Sequence, residues 1–180
     1  MGMVRVRNAE ATRAALLAAA GAVLHAQGAA LSLDAVAREA GVSKGGLLHH
    51  FPSREALLDA LALDLLARFE RRVETLRGQE VAEHGERPGA WLRAYIVASF
   101  DSDPEEDALF GALKSLAAIW DQTDVLEEAH ARLSARAEAD GLPAARAHVV
   151  RLACDGLWLG GFSPEQREAI REELTTWTRA

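Results

Sequence analysis

The sequence predicts an all-α protein: an N-terminal three-helix helix-turn-helix domain followed by a C-terminal helical domain. Three observations carry this. Ala and Leu prevail over β-branched residues in a chain that is 49% hydrophobic and only 6% aromatic, a composition that favours helices. The stretch Ser32 to Phe51, SLDAVAREAGVSKGGLLHHF, reads as two short capped helices joined by a glycine-containing turn. Charge divides along the chain: residues 1–54 carry six basic against three acidic side chains, a balance of +3, while residues 55–180 carry 14 against 24, a balance of −10. One lobe is suited to a polyanion and the other is repelled from it. The boundary is placed between residues 1–53 and 54–180.

Residues 1–7 show no periodicity and carry Arg5 and Arg7, which predicts a basic arm able to follow a phosphate backbone or enter a minor groove. Asn8 is placed to cap a helix from Ala9 to about Ala26, with Ala15, Leu16, Ala19, Val23 and Ala26 inward and Gly28 beyond its end. Ser32 caps a helix over Leu33 to Ala40, in which Leu33, Val36 and Ala37 share one face. Gly41 ends it, because glycine enters the left-handed region at little cost. Ser43 caps the next helix, Lys44 to His50, and Pro52 closes it by restricting the residue before it.

The second helix of such a pair enters the major groove of DNA. Ser43 and Lys44, at its N-terminus, can meet phosphate or a base edge. Leu48 can touch a thymine methyl and His49 faces backbone phosphate, whereas Leu47, His50 and Phe51 point to the core. Gly45 and Gly46 offer no side chain to read a base. They cost about 1 kcal/mol each in helix propensity and permit close approach of the backbone to the groove. Ser53 and Arg54 open the following helix on the same side. The expected DNA contacts are therefore Arg5, Arg7, Ser32, Ser43, Lys44, Gly45, Gly46, Leu48, His49, Ser53 and Arg54.

The run AREAGVSKGGLLHHFPSREALLDA, Ala37 to Ala60, closely resembles the DNA-binding signature of the TetR family of transcriptional regulators, and the resemblance covers about residues 8–60. It implies an all-helical dimer with an N-terminal DNA-binding domain and a C-terminal domain that binds a small effector, acting as a ligand-responsive repressor. One departure stands out: the family often carries Tyr where this chain has Leu48, so a phenol–phosphate contact has no counterpart here.

A long helix is predicted from Arg54 to about Leu76, with Leu57, Leu58, Leu61, Leu65, Phe69, Val73 and Leu76 on its apolar face and a length of roughly 35 Å. The polar, glycine-rich run Gly78 to Gly89 reads as a loop. Helices then follow over Trp91 to Phe100, after the capping signals Asp103, Pro104 and Glu106, and from Thr123 to about Ala139 with Val125, Leu126, Ala129 and Leu133 inward. Pro143 opens a further helix containing Val149, Leu152, Ala153 and Leu157. Ser163, Pro164 and Gln166 open the last, with Ile170, Leu174 and Trp177 apolar. This final pair has more apolar surface than one core needs, which predicts a homodimer through the last two helices. Two-fold symmetry would place the reading helices one DNA turn apart, on a palindromic operator in double-stranded DNA.

Chemistry is not written into this chain. Cys154 is its only cysteine, the histidines are not paired at metal spacing, and no nucleophile–base motif is present, so neither an enzyme nor a metal or cofactor site is expected. No apolar run reaches membrane-spanning length and no signal-peptide pattern opens the chain, which predicts a cytoplasmic protein without membrane contact. Trp91, Tyr95, Phe110, Trp120 and Trp158, with Phe162, can line an apolar effector cavity, with Asp155 or His148 as the orienting polar group. Asp155 lies among Leu152, Leu157 and Trp158, where an unpaired carboxylate is costly; a partner across a dimer, a helix cap and a ligand are all open to it. A helix-turn-helix dimer without effector is the alternative, separated from the first reading by whether the second lobe holds an apolar cavity. A helical enzyme or lipid-binding protein is a third reading, against which the basic head on an acidic body argues.

Overall fold

The computed structural model describes residues 2–101, 123–157 and 160–179, with side chains from Ala9 onward in the first stretch and from Glu127 in the second. Among these residues every regular element is helical: α1 Gly2–Gln27, a 3-10 turn Gly28–Ala30, α2 Leu33–Glu39, α3 Lys44–His50, α4 Arg54–His84, α5 Ala90–Phe100, α6 Thr123–Glu138, α7 Ala144–Leu157 and α8 Pro164–Trp177. The chain divides into two compact units. The described part of the first holds α1–α3 and α4 through Leu65, and that of the second holds the rest of α4 with α5–α8.

In the first unit α1 packs on α2 and α2 on α3. Leu16, Leu17, Ala20, Val23 and Leu24 of α1, Val36 and Ala37 of α2, Leu47 of α3 and Leu57, Leu58 and Leu61 of α4 are all buried. Ala15 and Ala26, expected inward, are exposed, because Leu17, Ala20 and Leu24 carry the buried face one position further round. The caps are local. Ser32 Oγ accepts from Ala35 N (3.2 Å), Ser43 Oγ from Gly46 N (3.1 Å) and Ser53 Oγ from Ala56 N (3.1 Å). Gly41 holds φ +67° at the turn, as an abrupt end to α2 requires.

Two boundaries differ from expectation. Helix α1 starts at Gly2, so residues 2–7 are not an irregular arm; VRVRN contains no proline or glycine to stop a helix propagating back from Ala9. Helix α4 runs eight residues beyond Leu76, through the stretch read as a loop. Gly78 is exposed there and tolerated, and Glu80 meets His84 at 3.4 Å in an i, i+4 pair. The stop comes at Gly85, with φ +78°.

In the second unit α5 is central, packing on α6, α7 and α8. Its residues are apolar nearly all round and eight of its eleven are buried, as a fully enclosed helix demands. The Tyr95 ring stands edge-on to Phe69 (centroids 5.1 Å) and lies 5.0 Å from Trp91. The N-terminus of α5 has no side-chain cap of its own, since Gly89 occupies the capping position with φ +83°. Asp140 supplies one from beyond α6: its two carboxylate oxygens accept from Trp91 N and Leu92 N, both at 2.8 Å. Burial nonetheless pushes the Asp140 carboxyl above its usual value, against the pull of those two bonds and of Arg93 and Arg77.

Helix α8 opens with the expected capping box, Ser163 with Gln166. Helix α7 buries Ala147, Val150, Arg151, Cys154 and Leu157, and leaves Val149 and Leu152 about half exposed. Its inward face thus includes an arginine. The helix expected after Asp103 and the inward placement of Val125 and Leu126 fall outside what the structure describes.

Candidate nucleic-acid interface and effector cleft

The outer face of α3 presents Lys44, Gly45, Leu48 and His49 to solvent while Leu47 anchors the helix from within. Ser43 sits at its head with its hydroxyl engaged in the cap. A Cβ at Gly45 would only just touch Ser43 Oγ at 4.0 Å, so internal packing does not require this glycine; at Gly46 the same atom lies at 3.3 Å. Lys44 Nζ pairs with Asp34 at 2.9 Å between two exposed side chains, a contact weak enough in water to be exchanged for a phosphate. His49 and His50 meet edge-on at 5.6 Å, and His50 is half-buried.

Arg54, an expected phosphate contact, also bonds backbone within its own unit. Its Nε donates to Leu31 O (3.1 Å) and its Nη2 to Ala29 O (3.3 Å), which ties the turn before α2 to the start of α4. Ser32 and Ser53 act as caps, with Ser32 exposed and Ser53 half-buried. Arg5 and Arg7 fall within α1, and their side chains are outside the described set.

The second unit contains a cleft of about 810 Å³ between the middle of α4 and α6, with Val73, Trp91 and Leu133 as its apolar floor. Two ion pairs cross it: Glu70 with Arg132 at 3.0 Å, and Glu74 with Arg136. Glu74 also accepts from Trp91 Nε1 at 3.2 Å. Of the described residues expected to bind a ligand, Trp91 lines this cleft. Phe110, Trp120 and Trp158 lie outside the described residues, Phe162 is exposed, and His148 pairs with Glu138 at 2.8 Å.

Tyr95 and Asp155 are brought together with each other instead. The Tyr95 hydroxyl donates to Asp155 Oδ1 at 2.6 Å, and Asp155 Oδ2 pairs with Arg151 Nη1 at 2.6 Å. Arg151, only 1% exposed, also reaches the His130 ring at 3.1 Å, while its Nε has no partner among the described residues. Asp155 thus has two partners on its own chain. Desolvation raises the Asp155 carboxyl, opposed by the Tyr95 hydrogen bond and by the charges of Arg151 and His130. Desolvation, with Asp155 beside it, pushes the neighbouring buried Cys154 thiol to about 12, which disfavours the thiolate.

Sequence reasoning missed Arg151, because a periodicity count treats arginine as an outward residue. It also missed Glu70, Glu74, Arg132 and Arg136, whose pairing between α4 and α6 is a tertiary fact. The Tyr95 hydroxyl is held well above 10.0, first by burial and then by Asp155. A raised folded-state value means that the native chain keeps a proton the unfolded chain loses, so stability falls as pH rises past about 10. Tyr95 is the only tyrosine. Tyrosinate absorbance is therefore expected to appear only together with loss of helical circular dichroism, and a titration near pH 10 in still-folded protein would contradict the buried placement.

Residues 16–61 match the profile of "Bacterial regulatory proteins, tetR family" and residues 89–179 that of "Tetracyclin repressor-like, C-terminal domain". The HTH-type transcriptional regulator BetI of Pseudomonas paraeruginosa is 30% identical over 146 residues, covering 72% of this chain and 70% of the relative. A transcriptional regulator from Rhodococcus has a similar fold, with TM-score 0.73 at 21% identity over 92% of this chain and 95% of its own. The multidrug binding protein EbrR, solved with imidazole, superposes with TM-score 0.66 at 24% identity, covering 93% of this chain and 90% of its own. No described helix is long and apolar enough to cross a membrane. With a helix-turn-helix matching one profile and a helical second unit matching the other, this chain belongs to the TetR family of DNA-binding transcriptional regulators.

Proposed function

We propose that this regulator is a homodimeric repressor that binds a palindromic operator and leaves it when a small molecule occupies the cleft between α4 and α6. The outer face of α3 carries the DNA half of the reading: one long cation at a helix N-terminus, two glycines, and Leu48 and His49 beside them. With so few polar side chains to read base edges, DNA shape supplies much of the specificity. The exposed Val149 and Leu152 of α7 and Trp177 of α8 support a two-fold interface, which in turn implies two half-sites; action on DNA in the cytoplasm follows from the regulator family.

The cleft favours an effector over a regulator without one, because its volume falls in the range of small-molecule sites and its floor is apolar with polar groups at the rim. EbrR has also been solved in complex with malachite green, which supports the same use of the fold. Helix α4 contributes to both units, so a ligand that parts Glu70 and Glu74 from their arginines acts on the helix that also begins at the DNA-binding unit. Release then follows from preferential binding to the non-binding conformation.

The test is DNA binding to the region upstream of its own gene across a range of salt concentrations. Lys44→Ala is expected to weaken binding about five- to tenfold and to lower the salt slope by about one. Equal affinity and slope in native and variant would remove α3 from the interface.

A further inference from the structure

A second cleft, of about 580 Å³, lies at the far end of α4. Four elements contribute a guanidinium to its lining: Arg87 from the connection after α4, Arg93 from α5, Arg171 from α8 and Arg179 just beyond α8. His84 lies beside them and Glu80 is the one lining carboxylate. Residues 55–180 carry ten more acidic than basic side chains, so four arginines around one hollow run against the local balance.

Two of the four are already committed. Arg93 is 15% exposed and fixed by Glu80 (2.6 Å) and by the carbonyls of Pro88 (3.1 Å) and Thr178 (2.7 Å), which leaves Nη2 without a protein partner among the described residues. Arg171 meets Asp101 at 2.8 Å and Glu168 at 3.6 Å. Arg87 and Arg179 have no ionic or hydrogen-bonded side-chain partner among the described residues. The backbone around them is set: Arg179 N donates to Thr176 O at 3.1 Å. At Gly89 a Cβ would come within 2.5 Å of Thr178 O and 2.8 Å of Arg93 Nη1. A side chain there would spread the rim, so the close approach of α5 to the end of α8 depends on the glycine.

We propose that this cleft binds a small multivalent anion, a phosphorylated or polycarboxylate metabolite, between Arg87, Arg179 and the free edge of Arg93. Planar guanidinium forks match phosphate and carboxylate oxygens in pairs, and three converging on one hollow suit an anion with more than one charged group. Val97 and Pro88 supply apolar contact for a carbon skeleton. The site is separate from the cleft between α4 and α6 and from the face of α3, and it stands whether or not the repressor mechanism does.

Isothermal titration calorimetry on the full chain without DNA, with pyrophosphate and with citrate at constant ionic strength in chloride, tests it. Saturable binding of one or both is expected. The Arg87→Ala/Arg179→Ala double variant, which removes two exposed and unpartnered side chains, is expected to raise Kd at least about tenfold. Lys44→Ala should leave that Kd unchanged, which separates the cleft from the basic first unit. Pyrophosphate alone assigns a phosphorylated ligand and citrate alone a polycarboxylate, and either upholds the site. Absence of heat with both anions, or an unchanged Kd in the double variant, overturns it.

Discussion

Replacing Arg151 by alanine is expected to destabilise the second unit by about 3–5 kcal/mol, the usual consequence of removing one member of a buried ion pair. The size follows from what stays behind. Asp155 would keep the Tyr95 hydroxyl but lose its one charged partner at hydrogen-bond distance among the described residues, in a setting where desolvation already works against its charged form. A cavity would open as well, since Arg151 is among the largest fully buried side chains. Urea denaturation followed by circular dichroism measures the loss. A double variant, Arg151→Met with Asp155→Leu, is expected to regain part of it, because no charge is stranded although the buried Tyr95 hydroxyl loses its acceptor. If Arg151→Ala alone cost less than about 1 kcal/mol, the network would contribute too little to explain why an arginine lies inside, with its Nε unpartnered.

Asp140→Ala is expected to cost about 2–3 kcal/mol. Two backbone N–H groups, of Trp91 and Leu92, lose their acceptor at the buried start of α5, and neither Gly89 nor a nearby side chain can replace it. Asp140→Asn, which retains one good acceptor oxygen, should lie about midway. Equal thermal stability of all three proteins would show that solvent satisfies those N–H groups. The same measurement against pH has a defined sign. The Asp140 carboxyl is raised, so its contribution to stability declines as pH rises through the window just above the ordinary aspartate value of 3.8, the reverse of a salt-bridged acid.

The first unit was legible in the sequence because its signals are local. Ser32, Ser43 and Ser53 cap helices within three residues of themselves, and Gly41 occupies the left-handed conformation that its place in the turn predicts. Boundaries set by the absence of a signal were not. Nothing stops α1 before Gly2, and Gly78 reads as a breaker although an exposed helix accepts it at a cost of about 1 kcal/mol. In the second unit the decisive partners are distant. Arg151 turns inward because Asp155, one turn along α7, and His130 of α6 receive it. Arg54, expected to touch phosphate, also ties itself to Leu31 and Ala29, a pairing across more than twenty residues that no spacing rule encodes. Of the expected ligand residues that are described, Trp91 lines the cleft between α4 and α6, while Tyr95 and Asp155 pair with each other across 60 residues of chain, which no spacing rule encodes.

The distant cap on α5 also sets an order in time. Trp91 and Asp140 are 49 residues apart in the chain. At a synthesis rate of about 5–20 residues per second, α5 emerges roughly 2–10 s before the group that terminates it correctly. An apolar helix with orphan N–H groups at its start is poorly stable alone in water, so the centre of the second unit waits for the end of α6 before it can consolidate. The helix-turn-helix, whose caps Ser32, Ser43 and Ser53 arrive with their own helices, is under no such delay. Newly made protein thus passes through an interval in which the caps of α2 and α3 are already in place while α5 still waits for Asp140.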